Sequence, residues 1–324
     1  MTLRARDLTP SLVGSVLDPR SDATRRIAGL WWILFGLGAS VAVVVIVVIV
    51  VATRRDSGAE SPIERRDDHE GSSRRWILGA GVAAPAVIIA IVFVSTVWSM
   101  RAASQDIPDD ALVVEVVGHQ WWWEVRYPDE GVTTANELHI PAGRTVAVEL
   151  RSADVIHSFW VPALAGKLDA LPERTNTLRL EADESGRYLG RCAEFCGVQH
   201  ANMDIVVIAH DAAGFADWVD AQQQRGTEPQ TVQQVLGAEL FVAKNCSSCH
   251  AIAGLSVGGA APAPDLTHVA SRDSIVGGLA DPTTPDLRAW IADPHTVKPG
   301  ALMPQTVLTD VELDAIVAYV EALR

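Results

Sequence analysis

The chain is poor in cysteine, in methionine and in positive charge. Its 324 residues include four Cys and four Met, and 26 Lys and Arg stand against 40 Asp and Glu, for a net charge of −14. The shortage of cations argues against nucleic acid as a partner, because phosphate backbones are gripped by clustered Lys and Arg. A cationic protein or redox partner suits the surplus of acid better. The cysteines form two tight pairs, Cys192 with Cys196 and Cys246 with Cys249, and none is left over. No short signal peptide with a small-residue cleavage site precedes Ile27, so the first apolar run is expected to stay in the mature protein. Charged residues make up 20% of the chain, yet its mean hydropathy is +0.17. That combination excludes disorder and also a fold that faces only water.

What is present is unevenly placed. Residues 1–100 carry 11 basic and 9 acidic side chains, net +2; residues 101–324 carry 15 and 31, net −16. The first part holds two uncharged apolar runs, Ile27 to Ala52 and Trp76 to Met100. Each run of about 25 residues makes roughly 38 Å of helix, enough to cross a hydrocarbon core of about 30 Å. Trp31, Trp32, Trp76 and Trp98 stand near the ends of the runs, where interface anchoring favours them. Gly79, Gly81 and Pro85 suit close contact and a kink in a membrane bundle better than a soluble helix. A pair of buried soluble helices is the competing reading, and uncharged runs of this length speak against it. The segment Thr53 to Arg75 holds six Arg and six acids. Basic residues favour the cytoplasmic side, although residues 1–26 also carry five Arg. A hairpin then leaves residues 101–324 on the outer side.

From Asp106 to about His210 short β-rich runs recur between turns: Leu112–Val117, Trp121–Tyr127, Thr145–Leu150, Thr177–Leu180, Arg187–Arg191 and Asp204–His210. Pro141-Ala142-Gly143 and Glu184-Ser185-Gly186 punctuate them. The spacing predicts a β-sandwich or small barrel. On it lies Cys192-Ala-Glu194-Phe-Cys196-Gly-Val-Gln-His200-Ala-Asn-Met203, with His157 upstream. Two thiols, two imidazoles and a thioether form a soft ligand set that suits copper. Two Cys four residues apart can bridge two metals. A disulfide or a Cys2His2 zinc site competes, but zinc does not need Met203 and a disulfide needs neither His nor Met.

The run C-x-E-x-F-C-G-x-x-H-x-x-M, preceded by His157-Ser-Phe-Trp-Val-Pro, resembles cytochrome c oxidase subunit II. The resemblance extends to Gly118-His-Gln-Trp-Trp-Trp-Glu, to Lys167-Leu-Asp-Ala-Leu-Pro-Glu-Arg-Thr-Asn and to the preceding two-helix hairpin. It implies a cupredoxin-like β-sandwich holding a binuclear copper centre, CuA. Cys192 and Cys196 would be bridging thiolates, His157 and His200 imidazole ligands, and Met203 the thioether. Glu194 would ligate through its backbone carbonyl, and its side chain would face a magnesium site shared with subunit I. Trp121 falls at the family position between cytochrome c and CuA, although three consecutive Trp also suit plain core packing. Period-two alternation puts Trp121 and Trp123 on one face and Trp122 on the other. One departure stands out. Family members often carry a Glu near the inner end of the second helix; Leu78 or its neighbours fall there, and the nearest acid is Glu70.

Beyond the sandwich, residues Gly214 to Arg225 are expected to form a helix and Gln222 to Gln230 a polar linker. An amphipathic helix follows, with Val235, Leu236, Leu240 and Phe241 on one face. It leads into Cys246-Ser-Ser-Cys249-His250, the C-x-x-C-H motif of covalent c-type haem attachment. A thioredoxin-like redox pair or half a zinc site could imitate it. Pro262-Ala-Pro-Asp-Leu266 and Pro299-Gly-Ala-Leu-Met303-Pro304 come next, and Met303 is the sole Met of this part. Thr309 and Glu312 read as a capping box opening a last helix, with Leu313, Ile316, Val317, Val320 and Leu323 spaced to pack on another helix. The whole resembles a class I cytochrome c, all α-helical. That resemblance implies Cys246 and Cys249 as the haem thioethers, His250 as one axial ligand and Met303 as the other, with His268, His295 or a plain core Met as alternatives.

The whole chain is therefore similar to subunit II of a caa3-type, haem-c-fused cytochrome c oxidase. Its implied parts are residues 1–26, a transmembrane hairpin over 27–105, a CuA domain over 106–212, a helix and linker over 213–230, and a cytochrome c domain over 231–324. The implied role is electron input: from a cytochrome c or cytochrome bc complex to haem c, then CuA, then haem a of subunit I. Subunit I, with haem a, haem a3 and CuB, would reduce oxygen to water and pump protons, and subunit III would complete the assembly. Haem attachment through thiols occurs outside the bacterial cytoplasm, which implies the cell (inner) membrane with both outer domains on its periplasmic face. A CuA subunit of a nitric oxide reductase, a membrane-tethered electron carrier and a copper delivery protein are the other classes considered; the last leaves the haem motif unexplained.

Overall fold

A computed structural model describes residues 12–55, 74–103, 106–255 and 262–324. It separates into two compact units: Arg25–Asp106, and Ile107–Arg324 together with Met1–Thr24. The basic and acidic connecting segment between the apolar runs lies, over 56–73, outside the described residues.

The smaller unit carries both apolar runs as helices. Helix α1 spans Asp22–Arg55. The second run opens as a π-helical stretch, Ile77–Ala83, and continues as α2, Ala84–Ala103. Pro85 explains the change of winding. It has no N–H to donate, and its ring would collide with the carbonyl four residues back, so the hydrogen-bond ladder shifts register there. By length and composition both helices can cross a membrane, and neither has its apolar stretch buried within the chain. The Arg26 guanidinium lies over the Trp98 ring, 5.5 Å from its centroid.

The larger unit begins as a β-sandwich of eleven strands among the described residues: β1 (Leu12–Val13), β2 (Leu112–His119), β3 (Trp122–Tyr127), β4 (Val132–Ala135), β5 (Glu137–Pro141), β6 (Val146–Ser152), β7 (His157–Trp160), β8 (Leu168–Ala170), β9 (Asn176–Leu180), β10 (Gly186–Cys192) and β11 (Asp204–His210). One sheet runs β5-β11-β10-β7-β8 with β1 paired to β10; the other runs β4-β3-β2-β6-β9. Apolar side chains from both fill the interior, including Val114, Trp123, Leu138, Leu150, Phe159 and Met203. Trp121 and Trp123 are buried and Trp122 only half so, but Trp121 lies in the turn before β3, so strand alternation accounts for Trp122 and Trp123 alone. All six expected β-runs are strands. Five further strands were not expected, because they are short or polar. β5 is buried along its whole length although it carries Glu137 and His139.

Helices complete the unit. They are α3 (Ala212–Gln222), α4 (Val232–Ala243), α5 (Thr284–Ala292), α6 (Pro294–Val297) and α7 (Asp310–Val320). α3 starts two residues before the expected Gly214, because the Asp211 side chain caps it by accepting from the Gly214 amide. The Thr309–Glu312 capping box is formed at the start of α7. Leu313, Ile316, Val317, Val320 and Leu323 are buried, as their spacing requires. Of the expected face of α4, Phe241 is buried and Leu240 packs partly against the core, while Val235 and Leu236 need correction. Val235 is 45% and Leu236 38% exposed, while Gly237 and Phe241 are the buried positions. The cause is close crossing: a Cβ on Gly237 would collide with the Ala315 carbonyl oxygen. α4 therefore turns its glycine, not its larger aliphatic residues, towards α7.

Candidate functional site

The loop between β10 and β11 and the start of β7 meet at one end of the sandwich. Cys192 ends β10, His157 opens β7, and a short 3-10 turn, His200–Asn202, returns the chain to β11. Pairing of Arg191 with Trp160 and of Cys192 with Phe159 sets the two strands in register and brings His157 beside the thiols. The sulfurs of Cys192 and Cys196 lie 3.8 Å apart, unbonded. The Cys192 sulfur is 3.8 Å from His157 Nδ1 and 3.3 Å from the Glu194 carbonyl oxygen. The Cys196 sulfur is 3.6 Å from His200 Nδ1 and 3.9 Å from Met203 Sδ. All six residues singled out in the sequence thus converge on the two sulfurs, and His157, Cys192 and Cys196 are buried.

The hydrogen bonds orient these donors. His157 Nε2 lies 2.7 Å from the Asp154 carboxylate. A carboxylate only accepts, so Nε2 carries the proton and Nδ1 presents its lone pair to Cys192. Burial alone would lower the His157 pKa; the Asp154 carboxylate and the Cys192 sulfur outweigh it and hold the imidazole above its ordinary value. The hydrogen bond from Cys196 pulls the Cys192 thiol down to about 3, and that same partner pushes Cys196 well up. Two sulfurs this close cannot both ionise without a cation between them. The chemistry of the set is therefore that of a soft metal site: paired sulfurs, two imidazole lone pairs, a thioether and a carbonyl. Asp154 was not found from the sequence, and nothing in its local pattern marks it.

Trp121 sits against this loop. Its indole Nε1 donates to the Cys196 carbonyl at 2.9 Å, and the Gln120 side chain donates to the same oxygen at 2.7 Å.

In the helical part, Cys246 and Cys249 lie on a 3-10 turn at the end of α4. His250 Nδ1 is 2.8 Å from the Pro264 carbonyl. Since the carbonyl accepts, Nδ1 donates and Nε2 keeps its lone pair. Burial holds His250 below the ordinary imidazole pKa, which favours the neutral, ligating form. Met303 is half-buried in the loop before α7. Of the competing residues, His295 is exposed and His268 points Nε2 at the Gln222 and Gln224 carbonyls, 3.2 and 3.1 Å away.

Residues 130–210 match the profile of the cytochrome c oxidase subunit II periplasmic domain, and residues 234–324 that of cytochrome c. Cytochrome c oxidase subunit 2 of Alkalihalophilus pseudofirmus is 36% identical over 246 residues, covering 74% of this chain and 71% of that protein. Its counterpart in Bacillus sp. (strain PS3) is 32% identical over 288 residues, covering 84% and 80%. The chain belongs to the cytochrome c oxidase subunit 2 family. The periplasmic domain of subunit II of cytochrome oxidase of Bradyrhizobium japonicum, a solved structure, is 31% identical and covers 36% of this chain and 97% of that one, with a TM-score of 0.35. Two apolar helices, a cupredoxin-like β-sandwich and a helical cytochrome c domain give the chain the arrangement of a caa3-type fusion. As a family member it is part of an oxidoreductase, a haem-copper oxidase, with an electron-input role and other oxidase subunits as partners. CuA and haem c are the cofactors its two domains imply.

Proposed function

We propose that this subunit receives electrons at haem c and delivers them, by way of CuA, to haem a of subunit I. The observation that carries the reading is the ring of soft donors about Cys192 and Cys196, whose sulfurs lie 3.8 Å apart. His157, Cys192, Cys196, His200, Met203 and the Glu194 carbonyl would hold the copper pair, and Cys246, Cys249, His250 and Met303 the haem. When bound, these groups supply one-electron redox chemistry, which serves oxygen reduction coupled to proton pumping in the partner subunit.

The chain's own residues do the positioning. Asp154 fixes the His157 ring with Nδ1 facing the sulfurs. Pro264 does the same for His250 from the other ring nitrogen. Burial of the two thiols excludes water from the site. Trp121, bonded to the Cys196 carbonyl, is the entry point on the copper side. The Glu194 side chain would contribute a carboxylate to a magnesium site shared with subunit I. The domain limits given by the sequence, the periplasmic face of the bacterial inner membrane, subunit III and a cytochrome c or cytochrome bc donor complete the proposal. Metal analysis and EPR of the purified complex test it. Two coppers and one haem c per chain, with an EPR signal shared over two copper nuclei, are expected. Stoichiometric zinc or a Cys192–Cys196 disulfide would overturn the copper site.

A further inference from the structure

Where the cytochrome part meets the sandwich, one side chain holds both together. Lys298 is 4% exposed. Its Nζ donates to the carbonyl oxygens of Trp121 at 2.8 Å, Asn202 at 3.1 Å and Val276 at 3.0 Å. The first two acceptors belong to the copper side and the third to the cytochrome side. The next residues extend the contact. The Pro299 carbonyl accepts from Gln199 Nε2 at 2.8 Å. Gly300, at φ +86°, approaches the Trp121 ring so closely that a Cβ would lie 3.3 Å from Cη2. Three residues later comes Met303.

The chemistry of the residue fits its place. The chain has three Lys among 26 basic residues, and one of them is here. Three carbonyls converging on one point suit a compact ammonium with three donors; the flat fork of Arg would not match them. Burial lowers the Lys298 pKa to about 8, so the charged form prevails at neutral pH.

We propose that Lys298 is a positioning residue, fastening the Met303 loop to Trp121 and to the copper-ligand loop so that the two redox domains meet in one orientation. This rests on the electron route proposed above. The step it serves moves one electron from reduced haem c to the oxidised copper pair. No bond forms or breaks, and the ammonium keeps its proton. Lys298 sets distance and orientation, through carbonyls that abut the entry tryptophan and, at Asn202, the neighbour of Met203.

The test is Lys298→Met in the full oxidase complex, which keeps the stem and removes the donors. Two readouts are followed. The Asp204 amide, which donates to the Gly277 carbonyl across the same contact at 3.2 Å, reports docking by hydrogen exchange and requires no metal. Flash reduction of haem c reports intramolecular transfer. Charge-assisted hydrogen bonds are strong enough that exchange is expected to quicken, and transfer to slow, by about tenfold. The haem c and CuA spectra should stay unchanged. Lys298→Gln keeps two donors and carries the test if the Met variant does not assemble, with a loss of about threefold expected. Normal spectra with unaltered exchange and transfer would overturn the proposal. A wild-type complex lacking the copper signal would instead overturn the electron route, while the exchange measurement still judged the contact.

Discussion

Asp154 and Met303 show what single residues contribute. Asp154 acts from outside the ligand set, holding His157 through Nε2 at 2.7 Å. Partners of this kind fix the tautomer and raise ligand basicity, and removing one costs about 10–100-fold in metal affinity. Asp154→Asn is therefore expected to lose copper to a competing chelator at about 10–100-fold lower chelator concentration than the parent. Retention equal to the parent would show that strand pairing alone holds the ring. Met303→Ala leaves Cys246 and Cys249 untouched, so haem should stay covalently attached while its reduction potential falls, because Met opposite His raises it. A redox titration with optical detection measures this, and an unchanged potential would move the role to another residue. The ligand candidates were legible because their chemistry is written in short spacings, C-x-x-x-C and C-x-x-C-H. Asp154, Gln199 and Lys298 were not. Asp154 stands only three residues before His157, but a lone acid in a loop does not reveal which ring it faces. Gln199 and Lys298 matter through partners far along the chain, 100 residues away for the Gln199–Pro299 bond.

Among elements, the crossing of α4 on α7 and the packing of β5 and β11 against α3 decide most. The sequence placed α4 and α7 and the packing face of α7, but only the Leu240 and Phe241 half of that of α4. Hydrophobic periodicity sees Val235 and Leu236 and cannot see that a close crossing rewards a missing side chain. Gly237→Ala puts a Cβ against the Ala315 carbonyl. Overpacking of this kind costs about 1–3 kcal/mol. A lowered midpoint of the cytochrome transition in denaturant, at unchanged slope, is the expected result. At the other contact, His139 Nδ1 and His210 Nε2 lie 2.8 Å apart and Trp218 stacks on His139. Burial holds both imidazoles below their ordinary value; Glu137 opposes this at His139 and Asp211 at His210, while Arg187 reinforces it at both and Arg272 at His139. In the unfolded chain both protonate near pH 6.5. The unfolded state then binds more protons, so the pair's contribution to stability falls as pH drops below about 6.5. His139→Phe should flatten the dependence of the melting temperature on pH between about 6.5 and 5. An unaltered slope would assign the acid sensitivity elsewhere.

For the whole molecule, the question is the order of electron flow, and the two cysteine pairs allow it to be tested separately. The cytochrome part follows the copper part in one chain and meets it at Trp121 through Lys298 and Gly300. Tethering by a short segment raises the local concentration of one domain near the other to roughly millimolar, so intramolecular transfer should outrun delivery by a free carrier. Cys196→Ser removes a sulfur on which His200, Met203 and Cys192 converge, and it leaves the haem cysteines intact. In that variant an external donor should still reduce haem c, while haem a stays oxidised and oxygen consumption collapses. Cys249→Ala gives the converse: copper should assemble, and part of the activity with a soluble cytochrome c should survive. Stopped-flow optical spectra of haem c and haem a, taken beside oxygen uptake, separate the two. If the Cys196→Ser complex reduced oxygen at the parent rate with the same donor, haem c would not feed through the copper site. The contact built on Lys298 would then hold the domains together without lying on the electron's path.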